Sequence, residues 1–162
     1  MPIGYCLVRN YDQAAQFVLM LDLFFIGIAL WRGEGFRDTE DQRPSSQEFA
    51  SAMVGLPAGI IARFCDTSKQ RVGVAMLFAA AASCLWAYTI YIDLNWMSRV
   101  HKKIDDGYVS VDWPYWPAQW GSILILVLVM VNHAFLAIFC KKRVQYAIGD
   151  IPAERDFVDG II

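Results

Sequence analysis

The residues best suited to chemistry are polar side chains that interrupt two long apolar stretches of the sequence. Asp22 lies in the middle of the apolar run 14–31, and Asn132 and His133 lie together in the run 120–140. A carboxylate at the centre of a bilayer costs at least about 2.5 kcal/mol, so it must face protein, be protonated or have a partner. We therefore predict a hydrogen-bonded pair between Asp22 and either His133 or Asn132.

Two roles are open for such an intramembrane polar pair. Polar side chains commonly join neighbouring membrane helices, so a structural clamp is the first interpretation. A proton or ion relay in a channel or transporter component is the second. A relay needs several titratable groups along a path, and the apolar runs suggest only Asp22 and His133.

The sequence offers little for metal, haem or nucleophilic chemistry. Its two histidines are His101 and His133, and it contains no Cys-x-x-Cys. His133 could be an axial haem ligand only if another chain supplied the second, which leaves a haem- or quinone-binding subunit of a redox complex as a third alternative. Without a phosphate loop or nucleophile motif, we expect no catalytic residues, no metal and no cofactor, although bound lipid is compatible with Lys141–Arg143.

Composition narrows the class of protein further. The chain has 162 residues, of which 57% are hydrophobic and 19% charged, with a net charge of −2. This mild acidity argues against nucleic acid as a partner, and the four scattered cysteines do not form a disulfide framework. Three cysteines near the expected inner face of the membrane, Cys6, Cys65 and Cys140, are candidates for S-acylation.

The charges and the apolar residues are segregated along the chain. Four apolar runs contain only Asp22 and Arg63 among the charged residues; they cover 14–31, 49–65, 72–92 and 120–140. About 20 apolar residues in a helix cross a bilayer. The first, third and fourth runs are therefore predicted transmembrane helices, the first of them a retained anchor, and the second run decides the topology.

The second run gives two models of the topology. Pro57 in its middle and Arg63 near its end favour three spans plus one interfacial or re-entrant helix, and so does the distribution of basic residues between the two sides. The stripe Ser51, Gly55 and Gly59 favours a fourth span, because small residues at every fourth position let helices pack closely in lipid. Four spans also place Cys6, Cys65 and Cys140 on the inner side.

We therefore predict an all-α, polytopic integral membrane protein with four transmembrane helices in a single membrane domain, 1–162. Its outer loops cover 32–48 and 93–119, its inner tail covers 141–162, and both termini lie on the cytoplasmic-equivalent side. We also expect the glycine stripe of the second helix to pack on the alanine run 79–82 of the third.

The second outer loop is the most distinctive connection. Its first part, 93–106, has the spacing of an amphipathic helix lying on the membrane surface. Its second part presents aromatic side chains on a proline-rich backbone: Trp113, Tyr115, Trp116 and Trp120. These rings are predicted to anchor the loop among lipid headgroups or to dock a partner.

The inner tail carries large apolar residues that a purely solvated tail does not need, among them Phe157, Val158 and Ile161. Other membrane protein subunits, or a second copy of the chain, are therefore the expected partners besides the bilayer. Taken together, the pattern is typical of small tetraspan proteins in general. The expected function is non-catalytic: an accessory subunit or scaffold of a larger membrane assembly.

Overall fold

A computed structural model describes residues 3–32, 45–65, 69–107 and 115–148. These residues form four helices and no strand: α1 (Ile3–Arg32), α2 (Ser45–Phe64), α3 (Lys69–Asp105) and α4 (Tyr115–Ile148). The prediction of an all-α fold is confirmed for this part of the chain. Trp113, most of the loop 32–48 and the tail from 149 to 162 lie outside it, as do the side chains of Cys6, Tyr115 and Trp116.

The helices form a bundle in which each helix packs against two others. α1 packs against α2 and α4, and α3 also packs against α2 and α4. Neighbours are antiparallel: Asp22 and Tyr11 of α1 lie beside His133 and Arg143 of α4, in that order. We call the end that carries the α1–α2 and α3–α4 connections the outer end, and the opposite end the inner end.

Three of the helices are long and apolar enough to cross a membrane: Tyr11–Leu30, Gln70–Asp105 and Gln119–Val144. Large apolar side chains point away from the bundle on each of them, including Met20, Leu77 and Leu124. α2 does not belong to this set, because serine, glutamate, glycine and arginine lower its hydropathy. Even so, Met53, Ile60 and Phe64 are exposed on its outward face.

α3 is longer than the third apolar run. It continues past Ile92 to Asp105 without a break, so the predicted separate surface helix over 93–106 is instead the extension of α3. No glycine or proline lies between Ile92 and Asp105 to interrupt the backbone hydrogen bonds. The helix ends where Gly107 adopts φ +78°, and the Gly107 N–H donates to the carbonyl of Ile104.

The core has two parts of different composition. The inner part is built mainly from small side chains, including the fully buried Ala15, Ala58, Ala75 and Ala79. The outer part is built around larger side chains, with Trp86 fully buried among them. Alanine therefore dominates the packing between helices at the inner end, and larger side chains dominate it at the outer end.

The sequence predicted that the glycines of α2 pack on the alanine run of α3, and this prediction is wrong. Gly59 lies against α1, where an added Cβ would be 3.1 Å from the Cα of Leu19. Gly55 faces α1 and α4. The α2–α3 contact at the inner end uses alanines on both helices, Ala58 and Ala62 with Ala75 and Ala79. The two glycines of the stripe are thus turned toward α1, with Gly55 also facing α4, while Ser51 contacts α3.

Candidate polar site at the centre of the bundle

Asp22 and His133 meet between α1 and α4. Asp22 Oδ2 lies 3.1 Å from His133 Nε2, and both side chains are fully buried. Asn132, the other candidate partner, lies on a different face of α4, where its side-chain amide donates to the carbonyl of Leu128 at 2.8 Å. Of the three residues predicted for this site, the structure therefore brings two together.

The hydrogen bond made by the second nitrogen of His133 determines how many protons the pair carries. His133 Nδ1 lies 2.9 Å from the carbonyl oxygen of Val129, and a carbonyl only accepts, so Nδ1 carries a hydrogen. A contact between Nε2 and Oδ2 then needs one more proton between them. Whether that proton belongs to Asp22 or to His133, the pair has a net charge of zero, which suits an apolar environment.

Gly55 of α2 closes the pair from the third side. A Cβ at this position would lie 2.5 Å from Asp22 Oδ2 and would also overlap His133 Nε2. Only glycine therefore lets the α2 backbone reach the carboxylate and the imidazole. Gly55 belongs to the stripe predicted for helix packing, and it contacts the polar pair itself.

Trp86 completes this level of the bundle from α3. Its ring centroid is 4.9 Å from that of Phe25 and 6.4 Å from that of His133. We call Asp22, Gly55, Trp86 and His133 the central layer, to which each helix contributes one residue. Asp22 Oδ1 and Trp86 Nε1 are both buried and have no hydrogen-bond partner among the described residues.

A second polar contact joins α2 to α3 one turn further outward. The hydroxyl oxygens of Ser51 and Thr89 are 2.9 Å apart, and Thr89 Oγ1 donates its only hydrogen to the carbonyl of Leu85 at 2.9 Å. Ser51 is therefore the donor to Thr89. Both side chains are fully buried.

Two carboxylates that the sequence analysis did not select are also buried at the outer end. Glu48 of α2 is 7% exposed and Asp93 of α3 is 1% exposed. In the sequence-based prediction, Glu48 is the last residue of the first outer loop and Asp93 the first residue of the second. The missed signal is their spacing: Glu48 precedes Ser51 by three residues and Asp93 follows Thr89 by four, which places each on the same face as the hydroxyl.

The inner end holds a different cluster. The guanidinium of Arg143 lies 4.5 Å from the centre of the Tyr11 ring, and Tyr11 and Cys140 belong to the same buried cluster. Cys140 is fully buried, whereas Cys65 is partly exposed. Acylation stays a prediction at both positions, and at Cys140 it requires the thiol to leave the buried core.

The aromatic residues of the second outer loop lie near the start of α4. Tyr115 and Trp116 belong to its first turn, and Trp120 is 55% exposed. Trp120 borders a cavity of about 530 Å³ between α3 and α4, whose other lining residues are Leu94, Met97, Ser98 and His101. Headgroup anchoring and partner docking both remain predictions for this surface.

The described residues contain no group of three or more metal-ligating side chains. His101 pairs with Asp105 at 3.4 Å on the exposed face of α3. Both nitrogens of His133 are engaged, so axial ligation of a haem would have to break one of its two hydrogen bonds.

Fold and site together define an all-helical bundle with three membrane-capable helices and a buried polar centre. Comparisons of the chain with protein-family models, with curated proteins and with solved structures find no match.

Proposed function

We propose that the chain is a four-span integral membrane protein and that it acts as a non-catalytic accessory subunit or scaffold of a larger membrane assembly. In this arrangement both termini lie on the cytoplasmic-equivalent side, and the Asp22–His133 pair clamps α1 to α4.

The position of α2 supports the fourth span. Gly55 is its midpoint, and Gly55 contacts the central layer. At 1.5 Å per residue α2 reaches ~15 Å to either side of that layer, and so it covers a hydrocarbon core of ~30 Å. Arg63 is exposed at the inner end, where its long side chain can extend to the headgroups. A helix lying along the membrane surface would not have this register with α1 and α4.

The unequal lengths of the helices support the proposal that the chain is a subunit of a larger assembly. α1 and α2 end ~15 Å outward of the central layer, whereas α3 and α4 reach ~28 Å. A helical hairpin therefore extends beyond the other two helices by ~12 Å, roughly the depth of a headgroup layer. Trp120, at its exposed edge, lies ~20 Å from the layer. Apolar surface outside the hydrocarbon core is typical of a protein interface.

The topology is tested with an epitope tag placed at each terminus in turn and protease added to sealed vesicles. Four spans place both termini on the same side of the membrane. Both tags are then either protected from the protease or cleaved by it. Cleavage of one tag with protection of the other would mean three spans and would overturn this part of the proposal.

The partner is tested by photo-crosslinking in native membranes. A photoreactive amino acid at Ser98, which is exposed beside the cavity, is expected to trap a neighbouring subunit. The control is the same amino acid at Leu128, which is 57% exposed but lies within the proposed membrane. A chain that purifies alone in mild detergent and forms no adduct at position 98 would contradict the subunit proposal.

A further inference from the structure

The buried polar side chains are distributed on one side of the central layer. Among the side chains that the structure describes, six polar or charged ones are buried; they are Asp22, Glu48, Ser51, Thr89, Asp93 and His133. Asp22 and His133 belong to the layer, and the other four lie outward of it, on α2 and α3. We call these four the polar column.

The polar column leads from the layer toward the outer end in short steps. Ser51 is one turn from Gly55, or ~6 Å along the axis, which is about the distance that one bridging water can span. Glu48 is another ~4.5 Å outward on α2, and Asp93 is ~6 Å outward of Thr89 on α3. Ser51 and Thr89 are in direct hydrogen-bond contact, and a proton can cross the longer steps through bridging water.

The inner half of the bundle is closed by small apolar side chains. Ala15, Ala58, Ala79 and Leu136 are all fully buried directly inward of the layer. On that side, the hydroxyl of Ser83, about one turn inward of Trp86, is occupied by the carbonyl of Met130 at 3.3 Å, and the cluster of Tyr11, Cys140 and Arg143 begins ~10 Å from the layer by helix rise. A tightly packed apolar segment of this length excludes water.

The central layer itself contains an open acceptor. Asp22 Oδ2 is engaged by His133, but Asp22 Oδ1 is fully buried and has no partner among the described residues. A buried carboxylate oxygen without a partner is costly in an apolar medium. A proton, or a water molecule that delivers one, would satisfy it.

We propose that the Asp22–His133 pair is a proton-binding site that exchanges protons with the outer aqueous phase through the polar column and is sealed from the inner phase. The proposal requires membrane insertion but no partner subunit. It is therefore independent of the accessory role, which can fail without affecting it.

The proton balance is simple. Water at the outer end gives a proton to the carboxylate of Glu48 or Asp93. Bridging water carries this proton to the hydroxyl oxygen of Ser51, which accepts it and releases its own hydrogen toward the layer after turning that hydrogen away from Thr89. While the pair is neutral, the shared proton lies on Asp22; when Asp22 Oδ1 accepts a second proton, the shared one moves to Nε2 of His133, so that the ring becomes charged and the pair changes from a net charge of zero to +1. Reversal returns the proton to the outer phase, and no electron is transferred.

Water access is tested by thiol labelling in sealed vesicles. In a background lacking the four native cysteines, Ser51→Cys and Ala58→Cys are compared; both native side chains are fully buried on α2, on opposite sides of Gly55. We expect a small, membrane-impermeant methanethiosulfonate added outside to modify Ser51→Cys at least ~10-fold faster than Ala58→Cys, because only a hydrated thiol ionises and reacts. Reagent added inside should modify neither.

Two results would overturn the proposal. Equal inertness of both cysteines would mean that the column is dry, and labelling of Ala58→Cys from the inside would mean that the inner half is not sealed. Thr89→Cys on α3 serves as a second test position if Ser51→Cys does not fold, with Ala79→Cys as its control on the same helix.

Proton binding is tested on His133 itself. His101→Gln leaves His133 as the only histidine, and ¹⁵N labelling then reports whether its ring is neutral or charged. In uniformly oriented vesicles with impermeant buffers, we expect the ring to follow the outer pH and to ignore the inner pH. Adding Asp22→Asn, which keeps the shape but removes the acidic oxygen, should abolish the response. A ring that follows the inner pH, or neither pH, would disprove the site.

Discussion

At the scale of single residues, the central layer depends on glycine at position 55. Gly55 has no Cβ, and this absence lets α2 touch the buried pair. The carboxylate and the imidazole could be predicted from the sequence because each interrupts an apolar run. The role of Gly55 could not, since a small-residue stripe does not say which neighbouring helix it faces.

Gly55→Ala is therefore expected to destabilise the bundle by about 1–3 kcal/mol, because the added methyl group overlaps Asp22 and His133. The measurement is the free energy of unfolding in a detergent titration. Gly27→Ala is the matched control: nothing lies within 4 Å of its Cβ, and alanine favours a helix by about 0.5–1 kcal/mol. Equal stability of the two variants would contradict the tight approach of α2.

The clamp is tested at Asp22. Asp22→Asn can donate its amide hydrogen to Nε2 while Nδ1 keeps its bond to Val129, so we expect little change in stability. Asp22→Ala leaves the buried Nε2 without a partner and should cost about 1–3 kcal/mol. The same unfolding titration separates the two variants. Full stability of Asp22→Ala would mean that the pair does not clamp α1 to α4.

At the scale of helices, a buried pair of hydroxyl groups joins α2 to α3. Thr89→Val removes the acceptor of the buried Ser51 hydroxyl and is expected to cost about 1–2 kcal/mol in the free energy of unfolding. Thr89→Ser keeps an oxygen at this position and serves as the control. A Val variant as stable as the Ser variant would show that this hydrogen bond does not contribute.

The sequence predicts the number and class of the helices well, and their ends and contacts less well. Apolar runs mark where a helix can lie in lipid, so all four were found. The extension of α3 was missed because 93–105 is polar and amphipathic, and such a pattern fits a surface helix and a projecting helix equally. The spacing of Glu48 from Ser51 and of Asp93 from Thr89 shows only that each carboxylate shares a helix face with a hydroxyl; that this face is buried depends on the register between α2 and α3, which a single sequence does not contain.

At the scale of the whole molecule, apolar residues line both the inside and the outside of the bundle. Cys84 can test whether the outward face of the bundle lies in lipid, because it is exposed on α3 only two residues from Trp86. With the other cysteines replaced by serine, Cys84 should resist a membrane-impermeant thiol reagent in vesicles and react once the protein is unfolded in detergent. Rapid labelling in vesicles would place this face in water.

The distance in sequence between Asp22 and His133 also matters for synthesis. The two residues meet across 111 positions of the chain, so α1 is made long before its partner on α4. At translation rates of about 5–20 residues per second, α4 follows after roughly 5–20 s. During this interval the carboxylate of Asp22 has no imidazole to bind. A nascent chain that stops after α3 would carry the Asp22 carboxylate in the bilayer without a partner. This unpaired carboxylate would distinguish unfinished chains from complete ones.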